Sequence, residues 1–370
     1  MCGNEVILEE QAYTMSVQIG VGLIGFGMAG EFFHAPFISN VKGFLLRKIR
    51  TTNPENIQKA VKEYPRVEIV ATSNSIFEDD DIQLVVIVSS NTSHFELAKK
   101  ALESGKNVVV DKPFTVTTAE ADELIVLAQE KNLVLSVYQN RRFSSDFRTL
   151  QYVVEKNLVG KVVELEIYYD RFRPQLKQNA WREENLPGSG ILYDLGAHLI
   201  DEALVLFGRP KFVWADLAIQ RQGAQVIDYF EITFIYASGL RVKLGAGMLK
   251  AQSRPHYILN GETGCYVKNS MDIQENDLKA GKRPSNTLDW GKEPTSMYGK
   301  LTYRQDGILK EMPIPSVAGD YTAYYQNIYD TLQKKTALKV QPEEARNVIR
   351  IIETAMESDN LRKEIEIKYS

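Results

Sequence analysis

The chain is predicted to fold as α/β, with a doubly wound parallel sheet in residues 17–139 and a second, α+β unit in residues 140–370. Three observations predict this. Short β-rich runs alternate with helical stretches through the first half, as parallel strands joined by crossover helices do. One run, Leu84-Val85-Val86-Ile87-Val88, is apolar without a break, as expected of a strand covered on both faces. The length, 370 residues, exceeds one ordinary core and suits two units.

The elements follow in order. Residues 17–24 form an apolar run ending in glycines, and helical spacing follows over 29–38. A second strand covers 44–50. Asn53 then caps a helix that has Pro54 at its first position. Further strands are expected at 67–71, 84–88, 107–110 and 133–137, with helices at 92–103 and 117–131. In the second half, 162–169, 212–220, 228–236 and 240–244 alternate as strands, with Ala237-Ser238-Gly239 as a hairpin turn. Residues 269–296 lose the alternation and read as a surface excursion. Residues 320–335 and 343–358 read as closing helices. Residues 1–16 read as a poorly ordered extension, the alternative being an edge strand from Val6-Ile7-Leu8.

Composition narrows the function. A net charge of −4 gives no basic field for nucleic acid. Cys2 and Cys265 are too few for a disulfide framework or a multi-cysteine zinc site, and fit a reducing cytoplasm. No apolar run is long enough to span a membrane, and residues 1–16 lack the pattern of a signal peptide.

The strongest motif is Gly25-Phe26-Gly27-Met28-Ala29-Gly30. It follows a strand and opens a helix, the context of a Rossmann dinucleotide turn. Gly25 makes the turn, Gly27 admits the pyrophosphate, and Gly30 lets helix and strand approach. The helix N-terminus then faces the phosphates. After the second strand, an acid would bind the ribose hydroxyls of NAD. Here Lys48 and Arg50 offer positive charge, Thr51 and Thr52 offer hydroxyls, and no acid occurs before Glu55. This favours NADP over NAD, although Arg50 also reads as an ordinary solvated edge charge. At the fourth strand's end Ser89, Ser90 and Asn91 face the ligand crevice. His94 is either a wall of the site or packing at a helix end. Gln139, after the sixth strand, completes the expected cofactor contacts. His34 reads as packing.

Lys112, in Val110-Asp111-Lys112-Pro113, stands at the fifth strand's end, where a cation can stabilise a developing alkoxide. Pro113 suits a cis bond. Asp194 and His198 lie four apart on helical spacing and share a face, an arrangement suited to acid/base work. No third and fourth ligands cluster with them, so a metal is not expected.

Three signals in order, GFGMAG at 25–30, DKP at 111–113 and YDLGAHLID at 193–201, resemble the Gfo/Idh/MocA oxidoreductases. The stretches FHAPF at 33–37, SVYQNRRF at 136–143, DYF at 228–230, YGKLT at 298–302 and NVIRIIETAMES at 347–358 look like its NADP-dependent scyllo-inositol 2-dehydrogenase group. The resemblance runs from about residue 17 to the end. It implies that Lys112, Asp194 and His198 are catalytic and that Asp111 and Lys112 lie at the cofactor. Asp111 stands where the family usually has Glu, and a small effect on the loop is expected. The resemblance also implies a large, open, mainly antiparallel sheet in the second unit, through which copies associate as homodimers or homotetramers.

The reaction so implied moves hydride between a nicotinamide cofactor and a secondary alcohol of a cyclitol, polyol or sugar, with scyllo-inositol or its inosose first among candidates. His198 removes the hydroxyl proton, Lys112 bonds the same oxygen, and Asp194 orients the substrate or His198. Lys112 and His198 both remain candidates for the proton acceptor. Trp181 and Arg182 are expected to close over cofactor or substrate. Among Tyr321, Tyr324 and Tyr325, Tyr321 is the candidate substrate contact, against aromatic packing at the junction. A dinucleotide-sensing regulator without turnover and a redox-neutral NAD-dependent glycosidase are the competing readings.

Overall fold

A computed structural model of the chain describes residues 18–177 and 180–368. The extension expected at residues 1–16, with Cys2, lies outside them.

Six parallel strands form the first sheet: β1 (Ile19–Ile24), β2 (Phe44–Arg50), β3 (Glu68–Val70), β4 (Leu84–Ile87), β5 (Asn107–Asp111) and β6 (Leu135–Tyr138). Their order is β3-β2-β1-β4-β5-β6. The order in which successive strands are added reverses between β1 and β4, and a crevice opens at the carboxyl ends of these strands. β4 is buried on both faces. Val85 and Ile87 join one hydrophobic core, and Leu84 and Val86 the other.

The connecting helices are α1 (Ala35–Asn40), α2 (Pro54–Glu63), α3 (Asn74–Phe77), α4 (His94–Glu103) and α5 (Thr118–Glu130). Asn53 caps α2, its side chain accepting from the Glu55 and Asn56 N–H groups. Thr117 and Glu120 close a capping box on α5. The regular helix expected from residue 29 departs from the structure. Gly30–His34 forms a wider turn, with the Ala35 N–H bonded to Gly30 O five residues back. Pro36 explains it, because a proline lacks the N–H that an ordinary turn would use.

A second sheet holds nine strands in the order β14-β13-β12-β11-β7-β10-β9-β8-β15. They are β7 (Val162–Tyr168), β8 (Phe212–Ala218), β9 (Tyr229–Ile235), β10 (Arg241–Gly247), β11 (Tyr257–Gly261), β12 (Gly264–Lys268), β13 (Gly299–Gln305), β14 (Ile308–Ile314) and β15 (Ile365–Glu366). All neighbours are antiparallel except β7 and β10. The remaining helices are α6 (Ser145–Glu155), α7 (Ala197–Phe207), α8 (Gln274–Lys279), α9 (Thr322–Leu332) and α10 (Pro342–Leu361).

α10 packs against α5 on one side and against β8 and α7 on the other. One continuous core therefore runs from the first sheet into the second. The excursion expected at 269–296 is only partly at the surface. Gln274 and Leu278 are fully buried, and Trp290 packs against Phe37 of α1. Its apolar anchors are too sparse to show periodicity, yet each fills a gap against the first sheet.

Candidate active site

The glycine turn leaves β1 at the crevice. Gly25 has φ 105°, and a Cβ there would stand 2.1 Å from Val88 O. A Cβ on Gly30 would meet Gly25 O at 2.3 Å. Both glycines are required by the protein itself. At Gly27 a Cβ would meet nothing within 4 Å. That space is open to a ligand, and a dinucleotide pyrophosphate fits the requirement. Met28 and Ala29 line the adjoining cleft. Phe26 turns its ring into the core against Tyr64, so its side chain does not face the cleft.

At the end of β2, Lys48 is consumed elsewhere. Its Nζ lies 2.8 Å from Asp79 and 3.0 Å from Ser75 O. The acid-free stretch thus presents Arg50, whose Nε donates to Ala71 O at 3.3 Å, beside buried Thr51 and exposed Thr52. No ion pair engages Arg50 among the described residues.

After β4, Ser93 Oγ donates to Ser89 Oγ at 2.7 Å. Asn91 is buried and donates to Gly188 O at 2.7 Å, which ties this loop to the second unit. His94 is fully buried, with Nδ1 2.9 Å from Pro113 O and Nε2 3.2 Å from Ser89 O. Burial pushes its pKa down, and the single N–H of the neutral ring bonds one of these two carbonyls, Pro113 O being the nearer. Asn91 and His94, expected at the cofactor, thus each direct an N–H at a main-chain carbonyl of the protein. Gln139 is buried with its Oε1 unpartnered.

Asp111 lines the cleft, and His34 holds its carboxylate. His34 is fully buried, with Nε2 3.3 Å from Asp111 Oδ1 and Nδ1 2.5 Å from the Tyr325 hydroxyl. Burial alone would raise the Asp111 pKa, but His34 and the charge of Lys112 bring it below the ordinary value.

The Lys112-Pro113 bond is cis. Lys112 Nζ donates to Asp194 Oδ1 at 2.9 Å and to Asp194 O at 2.8 Å. Arg182 Nε approaches the same Oδ1 at 3.3 Å, and its guanidinium stacks 4.5 Å from the Trp181 ring. Asp194 sits in a second wide turn, Leu192–Gly196, immediately before α7. Burial would raise its pKa, but Lys112 and Arg182 hold the carboxyl well below the usual carboxylate range. His198, on α7, is buried with Nδ1 unpartnered among the described residues. Burial, then the charges of Lys112 and Arg141, push it well below the ordinary imidazole value, against the pull of Asp194. The imidazole is neutral at pH 7.

These side chains face a cleft of about 490 Å³ between the two sheets. Arg182 lines it, whereas Trp181 is not part of its lining. Tyr321 does not reach the cleft: its hydroxyl accepts from Arg141 Nη1 at 3.2 Å. Tyr324 bonds Ser136, so all three tyrosines serve the junction. Sequence reasoning passed over Arg141, Arg171, Arg173 and Glu275. Arg141 lay inside the noted stretch at 136–143; the others sit in segments without a recognisable pattern.

A Rossmann crevice that brings a lysine, a carboxylate and a neutral histidine together defines a nicotinamide-dependent oxidoreductase. The chain belongs to the Gfo/Idh/MocA oxidoreductase family and is an NAD(P)-dependent enzyme acting on CH–OH groups. The model for an oxidoreductase family NAD-binding Rossmann fold matches residues 19–139, and that for the family's C-terminal alpha/beta domain matches 153–367. The chain is 36% identical to the scyllo-inositol 2-dehydrogenase (NADP(+)) IolW of Bacillus subtilis, over 95% of this chain and 96% of that protein. It is 43% identical to the oxidoreductase YdgJ of Escherichia coli, over 93% and 97%. Among solved structures, an oxidoreductase yvaA from Bacillus subtilis superposes with a TM-score of 0.91 at 36% identity, covering 95% of this chain and 99% of that one.

Proposed function

We propose that the protein is an NADP-dependent dehydrogenase or reductase acting on a secondary alcohol of a cyclitol, polyol or sugar, with scyllo-inositol the first substrate to test. The observation that carries this reading is the neutral His198 beside the Lys112–Asp194 pair at the dinucleotide crevice.

Gly25, Gly27, Met28, Ala29 and Gly30 would hold the pyrophosphate through the chain, and Arg50, Thr51 and Thr52 would meet the 2′-phosphate. When bound, the nicotinamide supplies the acceptor or donor of the hydride. The neutral imidazole of His198, which lines the cleft, takes the hydroxyl proton in oxidation and returns it in reduction. Lys112 donates to the same oxygen and stabilises its negative charge. Asp194 keeps Lys112 aimed, because both its carboxylate and its carbonyl accept from Nζ. The exposed apolar side chains Trp214 and Leu309 on the outer face of the second sheet support association of copies through that sheet.

The test is NADP⁺ reduction across a panel of inositols and sugars, with NAD⁺ in parallel. Turnover with a cyclitol and preference for NADP⁺ is expected. Failure with every cyclitol overturns the substrate assignment, and absence of net nicotinamide turnover with any alcohol overturns the redox reading.

A further inference from the structure

The cleft is lined by eight lysine and arginine side chains against four acidic ones. All four acids already have partners. Asp194 holds Lys112 and Arg182, Glu275 holds Arg141 and Lys279, Glu183 holds Arg221, and Asp111 faces His34. Three cations remain: Arg171, Arg173 and Lys177 make no ion pair among the described residues. Two of them are held in place by the main chain. The Arg171 N–H bonds Gly247 O at 2.9 Å and the Arg173 N–H bonds Met248 O at 2.7 Å. This extended pairing puts both arginines on the cleft side, with Phe172 between them 59% exposed on the other. The Arg171 guanidinium rests 4.8 Å from the Tyr169 ring. Burial and the charge of Arg171 together lower the pKa of Arg173. Two like charges therefore face one cavity without a direct ion-pair partner among the described residues, and Asp194 and Glu275 offset them only at longer range.

We infer that Arg171 and Arg173 form an anion subsite, so that the preferred substrate is a polyol carrying a carboxylate or a phosphate. This rests on the alcohol-oxidising reading above and names its substrate class. Guanidinium donors match either anion through paired N–H groups. The anion is held by residues of the second unit, while the alcohol reacts at Lys112 and His198. Neutral polyols leave the two charges without a direct partner and bind more weakly.

The experiment measures kcat/KM with NADP⁺ for glucuronate against glucose and for inositol monophosphate against scyllo-inositol. At least one anionic member should exceed its neutral counterpart by about tenfold or more, and added salt should shrink the margin. Which pair shows it separates carboxylate from phosphate. In the R171Q/R173Q variant the ratio should fall to near one, with NADPH affinity by fluorescence titration unchanged, and R171K/R173K should restore part of it. Equal rates on charged and neutral members in the wild type would overturn the inference. So would a double variant that weakens NADPH while leaving the ratio intact, because the arginines would then serve the dinucleotide. If no compound is oxidised but inositol monophosphate or glucuronate binds the NADP-loaded protein through these arginines, the redox reading fails and the anion subsite stands. If neither binds, the subsite fails.

Discussion

Lys112 reaches Asp194 twice, at 2.9 Å through the carboxylate and at 2.8 Å through the main-chain carbonyl. The fifth strand of the first sheet is thereby tied to the wide turn before α7. The carboxylate also supplies negative charge that favours protonation of His198, against Lys112, Arg141 and Arg171. In Asp194→Asn that charge is gone. The prediction is a loss in kcat/KM of about 10²-fold and an acid limb of the pH profile moved to lower pH. An unmoved limb would place Asp194 outside the reach of His198.

Gly27 and Gly30 separate cofactor from fold. Gly30→Ala drives a Cβ to 2.3 Å from Gly25 O, so the thermal midpoint should fall. Gly27→Ala meets no protein atom within 4 Å, so the midpoint should hold while NADPH affinity drops about tenfold or more. Unchanged NADPH affinity in Gly27→Ala would count against a pyrophosphate there.

Arg50 is the cation left at the end of β2 once Lys48 is committed to Asp79. Arg50→Gln should weaken NADPH by about tenfold or more and leave NADH nearly unaffected. Parallel titrations with the two cofactors check this, and an unchanged ratio would move the 2′-phosphate elsewhere.

Glu202 is 1% exposed, and the Tyr257 hydroxyl donates to it at 2.9 Å. Burial pushes its pKa well above the ordinary value. The folded form therefore keeps a proton that the unfolded chain releases above pH of about 4.5. Its contribution to stability is whole below that pH and is lost as pH rises towards the raised pKa. Glu202→Gln removes the dependence. Urea unfolding should show the variant gaining on the wild type between pH 5 and pH 8, by up to about 1.4 kcal/mol per pH unit. A gap that widens in favour of the wild type would contradict a protonated Glu202.

Much of the first sheet was legible because parallel strands announce themselves. Leu84 to Ile87 has no polar residue to confuse the pattern, and the glycine turn has a fixed grammar. Lys112 and His198 were legible for a related reason, since each stands at a fixed place beside an element end. The second sheet was legible only in part. β14 is exposed along six of its seven residues and shows no alternation to read. α6 begins with buried Ser145 and Asp146 and also buries Thr149, so polar side chains hide its inner face. The roles of His94 and Tyr321 depended on partners far along the chain: His94 meets Pro113 and Tyr321 meets Arg141. Arg171 and Arg173 come together with Lys112 only when the second sheet folds against the first.

The central claim is that Lys112 stabilises the alkoxide formed as His198 takes the proton. Single-turnover hydride transfer in Lys112→Met, with NADPH affinity measured on the same preparation, tests it most directly. The account predicts a rate reduced about 10²- to 10³-fold with NADPH affinity preserved. Hydride transfer within a factor of about two of the wild type would contradict it.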